Sequence, residues 1–326
     1  MKEPRAKQSE TRELGRTGMR ITLLGLGTWA IGGGGWAFAW GPQDDKRSID
    51  AIHRAGQLGI NWIDTAPVYG TGHAEEIVAE ALDQATTHPY VFTKVSFVWD
   101  SKRKIRSTQK PESIRGEVKA SLKRLHVDKI DLCQVHWPDP EDEIVEGWRT
   151  LAELKDEGVL RHIGVSNFSV EQMEKVGAIA PVETLQPPYS LVHPEVENEI
   201  LPYAKKHHIG VIVYSPMASG LLSGTMTAER IRKMPSDDWR RREEQFREPR
   251  LSRNLALAKL LEEIGREHEC STAEVAIAWT LLNPAVTAAI VGARSPEQVD
   301  GFIGAADLKL SRSDFERISS FVQEHP

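Results

Sequence analysis

The sequence predicts an α/β fold: a single (β/α)8 TIM barrel with an N-terminal β-hairpin and a long charged loop after strand seven. Three observations lead there: eight short, apolar, β-rich runs, a segment of helical periodicity between successive runs, and no low-complexity linker within the 326 residues. Strand and helix alternating eight times imply parallel strands with right-handed crossovers, which close into a barrel more readily than they spread into an open sheet. One domain over residues 1–326 is expected.

At the start, Glu13-Leu14-Gly15, Arg16-Thr17-Gly18 and the run from Met19 to Leu23 read as a hairpin placed to plug the bottom of the barrel. Strands are expected at 23–29, 61–64, 90–95, 130–137, 158–166, 182–187, 210–215 and 286–291. Helices are expected at 45–58, 74–84, 111–125, 141–157, 170–177, 194–207, 254–268 and 296–305. Ser169 and Ser295 stand at N-cap positions, the latter followed by Pro296 at the first helical position. Residues 225–253 break the rhythm and carry Trp239-Arg240-Arg241-Arg242-Glu243-Glu244. That stretch reads either as a lid over the catalytic end or as a solvated excursion.

The composition, 40% hydrophobic and 27% charged, is that of a globular protein with a large core. A formal net charge of −6 and a pI near 6.0 exclude a general nucleic-acid or acidic-membrane surface. Cys133 and Cys270 lie far apart without C-x-x-C or Cys/His spacing, so they read as reduced thiols, with no disulfide framework and no zinc site. The stretch from Met1 to Arg12 lacks the apolar segment of a secretory signal, and no apolar run approaches the roughly 18 residues of a membrane span. A cytoplasmic protein is expected, with a monomer as the default assembly.

In a barrel of this type chemistry sits at the C-terminal strand ends. Asp64 ends strand two, Tyr69 follows in its loop, Lys94 ends strand three and His136 ends strand four. Taken singly, these are an ion pair, a loop anchor and a core histidine. Together they place a carboxylate, a phenol, an ammonium and an imidazole on three adjacent strands, a set suited to donating a proton to a carbonyl. A phenol with a pKa near 10 is a poor acid at neutral pH, and a neighbouring ammonium lowers that value. Lys94 is the expected perturber, Asp64 its holder, and His136 the group that orients the carbonyl toward Tyr69. A hydride donor is then required. A metal-dependent hydrolase built on His136 and Asp64 lacks a second clustered histidine. Gly25-Leu26-Gly27 followed by Ile31-Gly32-Gly33-Gly34-Gly35 does not open a helix as a dinucleotide-binding fingerprint must. Lys102-Arg103-Lys104-Ile105-Arg106 reads as a solvated loop or an attractor of anionic substrate.

Asp64, Tyr69, Lys94 and His136, with Gly25-Leu26-Gly27-Thr28-Trp29, resemble the signature of the aldo-keto reductases. Further matches are Gly164-Val165-Ser166-Asn167-Phe168, Gln186, the run from Tyr214 to Leu222, and Ile290-Val291-Gly292-Ala293-Arg294 with Gln298. The Ser-Pro and Gly-Ala-Arg forms are similar to bacterial members related to potassium-channel beta subunits. The resemblance implies NAD(P)H stretched across the strand ends, reducing an aldehyde or ketone, with the reverse oxidation also available. It implies Ser166, Asn167 and Gln186 on the nicotinamide carboxamide and Tyr214 stacked on its ring. Gly27, Thr28 and Trp29 would border the cofactor. Ser215, Pro216, Met217, Ala218, Ser219, Leu222 and Gly224 would follow its pyrophosphate, and Gly292, Arg294 and Gln298 its adenosine end. Two departures bear on the cofactor: Thr225 stands where related sequences commonly have Lys, and Gly301-Phe302 where they commonly have Glu-Asn. NADP(H) is favoured through Arg294, with Arg230 or Arg232 as substitutes, and NAD(H) is the alternative. Among nine tryptophans, Trp29, Trp36, Trp40, Trp99 and Trp137 fall at or beyond strand ends. Of these, Trp29, Trp36, Trp99 and Trp137 are expected to wall a pocket for a sugar or a ring-bearing carbonyl. The rival reading is a nicotinamide-binding redox sensor or interaction protein with slow turnover.

Overall fold

A computed structural model describes residues 10–86 and 88–325; the expectation for the charged N-terminus falls largely outside them. Eight parallel strands form a closed barrel: β1 (Leu24–Gly27), β2 (Trp62–Asp64), β3 (Tyr90–Val95), β4 (Ile130–Val135), β5 (Leu160–Ser166), β6 (Thr184–Gln186), β7 (Gly210–Tyr214) and β8 (Ala288–Gly292). Each pairs with the next, and β8 closes on β1. Side chains on a strand alternate between faces, so every second residue points into the barrel. Trp62, Phe92, Leu132 and Ile212 make an apolar inner layer. Two residues further along each strand stand Asp64, Lys94, Gln134 and Tyr214, which carry the polar end.

The expected hairpin is present, with arms Thr11–Glu13 and Arg20–Thr22 in antiparallel register. Its Leu14, Met19 and Ile21 join the barrel's inner apolar layer, so it closes the bottom with hydrocarbon. The Trp62 indole donates to the Thr22 carbonyl at 3.0 Å and lies flat against Gly25.

The barrel is clothed by α1 (Asp45–Gln57), α2 (His73–Asp83), α3 (Pro111–Leu125), α4 (Ile144–Asp156), α5 (Val170–Gly177), α6 (Ile200–Lys206), α7 (Thr272–Leu281) and α8 (Pro296–Asp300). Ser169 caps α5 in a capping box, while Ser295 stands at the cap of α8 without a side-chain cap bond. Several expectations need correction. The helix expected at 254–268 spans Arg250–Glu267, but it packs on α7 and on a C-terminal helix, Arg312–Glu324, instead of taking the place beside the strands. That place belongs to α7, where every residue but Glu274 is buried. A helix buried on nearly all sides has no amphipathic period, which is why periodicity missed it. The helix expected at 194–207 is a 3-10 turn, Glu195–Glu197, followed by α6. Pro202 has no N–H to give to the carbonyl of Asn198, so the helix restarts there. The expected helix 296–305 likewise divides, with a second 3-10 turn at Ile303–Ala306. Trp29 leaves the first strand and opens a 3-10 turn, Trp29–Gly32. The segment after β3, read as a loop, is a hairpin of Phe97–Trp99 and Ile105–Ser107. No helix among the described residues is long and apolar enough to cross a membrane.

The barrel bottom depends on the missing side chain at Gly25, because a Cβ there would fall 2.2 Å from the Trp62 ring. Gly25→Ala is expected to force the indole aside and cost about 1–3 kcal/mol of stability in urea unfolding. An unchanged midpoint would show that the bottom layer yields freely.

Candidate active site

Lys94 is fully buried and points along the barrel axis among the strand ends. Its ammonium donates to Asp64 Oδ1 at 2.6 Å and to the Thr65 carbonyl at 3.0 Å, and stands 3.5 Å from the Tyr69 hydroxyl. Asp64 is held in turn: the N–H and hydroxyl of Thr28 both donate to its main-chain carbonyl, and Gln186 Nε2 donates to Oδ2 at 2.8 Å. Tyr69 comes from a tight loop in which Gly70, Thr71 and Gly72 all have positive φ. A Cβ on Gly70 would lie 2.2 Å from the carbonyl oxygen of Gly32, so the first loop lies directly on the tyrosine's loop. Arg103 ties the same loop down, donating to the Gly70 carbonyl at 2.6 Å and to the Thr71 hydroxyl at 2.9 Å. The basic run 102–106 thus contributes one anchor as well as solvated charge.

His136 stands edge-on to Tyr69, ring centres 5.7 Å apart, and Phe97 packs on its other side at 5.2 Å. The four residues converge as expected. Their proton affinities differ from expectation in one respect. Burial, and after it the charge of Asp64, raises the Tyr69 hydroxyl well above 10. Lys94 therefore does not lower it in this state: desolvation outweighs an ammonium at the edge of hydrogen-bond range. Burial also pulls the Lys94 ammonium down, opposed by Asp64. Burial among the rings, followed by the Lys94 charge, holds His136 well below 6.5, although part of its ring reaches the pocket. At neutral pH the site holds a protonated phenol and a neutral imidazole.

Around this centre Ser166 Oγ donates to the Gln186 carbonyl at 2.8 Å. Asn167, in the left-handed region, donates to the His136 carbonyl and accepts the Tyr214 hydroxyl at 2.8 Å. The turn after β7 contains three non-glycine residues of positive φ, Ser215, Ala218 and Ser219, with Pro216 and Met217 between them. Leu222 is a core residue whose N–H is given to Met217, so it supports the turn and presents no ligand. Gly27 faces Ile290 where no Cβ fits, and Gly224 lies against Thr272. At the far end Gln298 accepts the Arg294 N–H, near the exposed Gly292. The Arg294 guanidinium donates to Gln43 Oε1 and to the carbonyls of Trp40 and Pro42, leaving two of its five N–H groups. Burial, then the charge of Arg240 and to a lesser degree that of Arg230, depress its pKa, opposed by the Asp238 carboxylate. Arg230 folds back on Thr225, donating to its hydroxyl at 2.8 Å, so a guanidinium stands where lysine is missing. Phe302 is buried in the core.

The tryptophans divide. Trp29 stacks on Tyr69 at 6.3 Å and on Trp239 at 4.9 Å, and Trp36 covers Tyr69 at 6.4 Å. Trp137 lies 45% exposed at the mouth. Trp99 is not with them. The hairpin after β3 carries it to Arg124, 6.0 Å from its ring, and Phe97 takes the place beside His136. Residues 225–253 are no free excursion: Trp239 enters the Trp29–Trp40 cluster, its main-chain N–H donating to the Ala39 carbonyl, and Arg242 donates to the Ala37 carbonyl. Arg240 stacks on Trp40 at 4.4 Å, pairs with Asp238 and reaches the Ser219 carbonyl. Trp239 and Arg240 belong to the stretch read as a lid or a solvated excursion, without a contact assigned to either; Phe97 and Gln134 escaped sequence reasoning. Gln134 alone had a signal, lying between Leu132 and His136 on the inward face.

Two polar ends suit a nicotinamide dinucleotide: the uncharged amides of Asn167 and Gln186 by the Tyr214 ring, and the arginine cluster about 294. Comparison with known proteins agrees. The sequence pattern described as "Aldo/keto reductase family" matches residues 23–323. The chain is 38% identical to "Aldo-keto reductase YhdN" of Bacillus subtilis over 317 residues, covering 96% of this chain and 94% of the relative. It is 35% identical to "NADH-specific methylglyoxal reductase" of Escherichia coli, covering 92% and 94%. Its fold superposes on the glycerol dehydrogenase AKR11B4 of Gluconobacter oxydans with a TM-score of 0.87 at 39% identity, covering 97% and 95%.

Asp64→Asn leaves the Lys94 ammonium buried without its counter-ion, at an expected cost of about 3–5 kcal/mol at pH 7. With its folded pKa depressed further, Lys94 binds fewer protons folded than unfolded, so the deficit shrinks as pH rises toward the unfolded lysine range. Urea unfolding of both proteins at pH 7 and pH 9 checks this; a deficit that is constant or grows contradicts it.

Proposed function

The chain belongs to the aldo/keto reductase family, and from that premise we propose that it reduces an aldehyde or ketone with NADPH, the reverse oxidation using the same groups. The observation that carries the reading is the buried Tyr69–Lys94–Asp64 chain with neutral His136 edge-on to the phenol. A bound nicotinamide dinucleotide supplies a hydride to the carbonyl carbon. Every other task falls to side chains. Neutral His136 donates a hydrogen bond to the carbonyl oxygen and turns it toward Tyr69. Tyr69, protonated until the moment of transfer, gives its proton to that oxygen as negative charge builds there. The phenolate left behind gains the Lys94 ammonium 3.5 Å away, so lysine acts on the product of the step, where the charge is.

Ser166, Asn167 and Gln186 would hold the carboxamide, Tyr214 the ring, the turn 215–219 the pyrophosphate and the arginines the adenosine end. Arg230 at Thr225, with Arg294 and Arg240 near, supports a 2′-phosphate and hence NADPH; the NADH-specific relative makes NADH the alternative. Trp29, Trp36 and His136 crowd the Tyr69 ring, with Phe97 behind His136, which favours small carbonyls or the apolar face of a sugar. Relatives named for methylglyoxal reduction and glycerol oxidation agree with a small substrate.

Tyr69→Phe is expected to bind NADPH as the parent does, by quenching of tryptophan fluorescence, and to lose at least about a hundredfold in kcat on methylglyoxal. Retained turnover would overturn the role of Tyr69. Arg230→Ala is expected to weaken NADPH several-fold and NADH hardly at all in the same titration. Equal losses would place Arg230 away from the 2′-phosphate.

A further inference from the structure

Lys94, Gln134, Gly164 and Thr184 are register partners across β3, β4, β5 and β6, one on each strand. Gly164 has no side chain, and a Cβ there would fall 1.9 Å from Thr184 Oγ1. Gln134 reaches over that gap: its Nε2 donates to Thr184 Oγ1 at 3.2 Å and lies 3.5 Å from the Val165 carbonyl. A carbonyl only accepts, so this end of the amide is the nitrogen, and Oε1 faces back to accept Gln186 Nε2 at 2.9 Å. The second hydrogen of that nitrogen goes to Asp64 Oδ2, which as a carboxylate also only accepts. One such contact would leave the Gln186 amide free to swing about it; two hold its plane. Among the described residues Gln186 Oε1 has no protein donor and is not a sealed orphan.

We propose that Gln134 is a positioning residue: bridged across Gly164 to Thr184, it locks the Gln186 amide so that its carbonyl oxygen is offered to the N–H of the nicotinamide carboxamide. The proposal rests on the functional reading above. It makes selection of a carboxamide over a ketone in the cofactor a property of residues that never touch the cofactor.

The test compares binding of NADPH, its reduced 3-acetylpyridine analogue, which has a methyl ketone in place of the carboxamide, and 2′,5′-ADP, which lacks the ring. Gln134→Met is expected to reduce the preference for NADPH over the analogue by about five-fold, while 2′,5′-ADP binds as to the parent. Thr184→Val, which removes only the anchor of Gln134, is expected to move the ratio the same way by less. A native ratio in Gln134→Met with native 2′,5′-ADP binding overturns the proposal. If Gln134→Met binds none of the three, Thr184→Val decides, and a native ratio there overturns it. A parent protein that binds neither NADPH nor 2′,5′-ADP overturns the functional reading itself.

Discussion

A lysine ammonium with no exposure to solvent, in the axis of a closed barrel, imposes most of what surrounds it. Burial opposes the charge, and the protein retains it by giving each proton an acceptor: the Asp64 carboxylate, the Thr65 carbonyl and the edge of the Tyr69 hydroxyl. Asp64 must then be held against rotation, which the two donors of Thr28 and the amide of Gln186 accomplish. The polar layer is thus one connected set of bonds, and each member is buried because the next satisfies it.

That layer exists because the layer beneath it is dry. Trp62, Phe92, Leu132 and Ile212 fill the lower barrel, and the hairpin's Leu14, Met19 and Ile21 seal it from below. Above that layer loops, not strands, set the shape. These loops are tied by side-chain donors to main-chain carbonyls: Arg103 to Gly70, Arg242 to Ala37, Arg294 to Trp40 and Pro42. Gly32 on Gly70 and Trp29 between Tyr69 and Trp239 bring three loops to one point.

The same desolvation divides labour between phenol and ammonium. A buried tyrosine resists ionisation and keeps its proton, and burial likewise opposes the charge of the lysine beside it. In the proposed reaction Lys94 would favour the charge-separated stage of proton transfer without first ionising the tyrosine. His136 fits beside them as a neutral ring because burial opposes its charge and, after that, the Lys94 ammonium would repel a second cation.

The sequence by itself determined the barrel, the hairpin plug and the convergence of Asp64, Tyr69, Lys94 and His136 at the strand ends. All three depend on short-range rules: period-two alternation, helical periods with caps, and the placement of strand ends. Alternation alone would set Gln134 inward between Leu132 and His136, a signal the sequence reading did not use, and its reach to Thr184 needs the register that sets Gly164 between them. Only tertiary structure decided the rest. Helix α7 lay hidden because near-uniform burial erases periodicity, and Pro202 divided a helix that composition alone would run through. Trp99 was exchanged for Phe97 by a short hairpin that the sequence reading took for a loop, and Trp239 and Arg240 reached the site from some two hundred residues along the chain beyond Trp29 and Trp40. The tyrosine's proton affinity belongs to the same class: the sequence supplies the charge nearby, but burial, which outweighs it, is a property of the whole packed barrel.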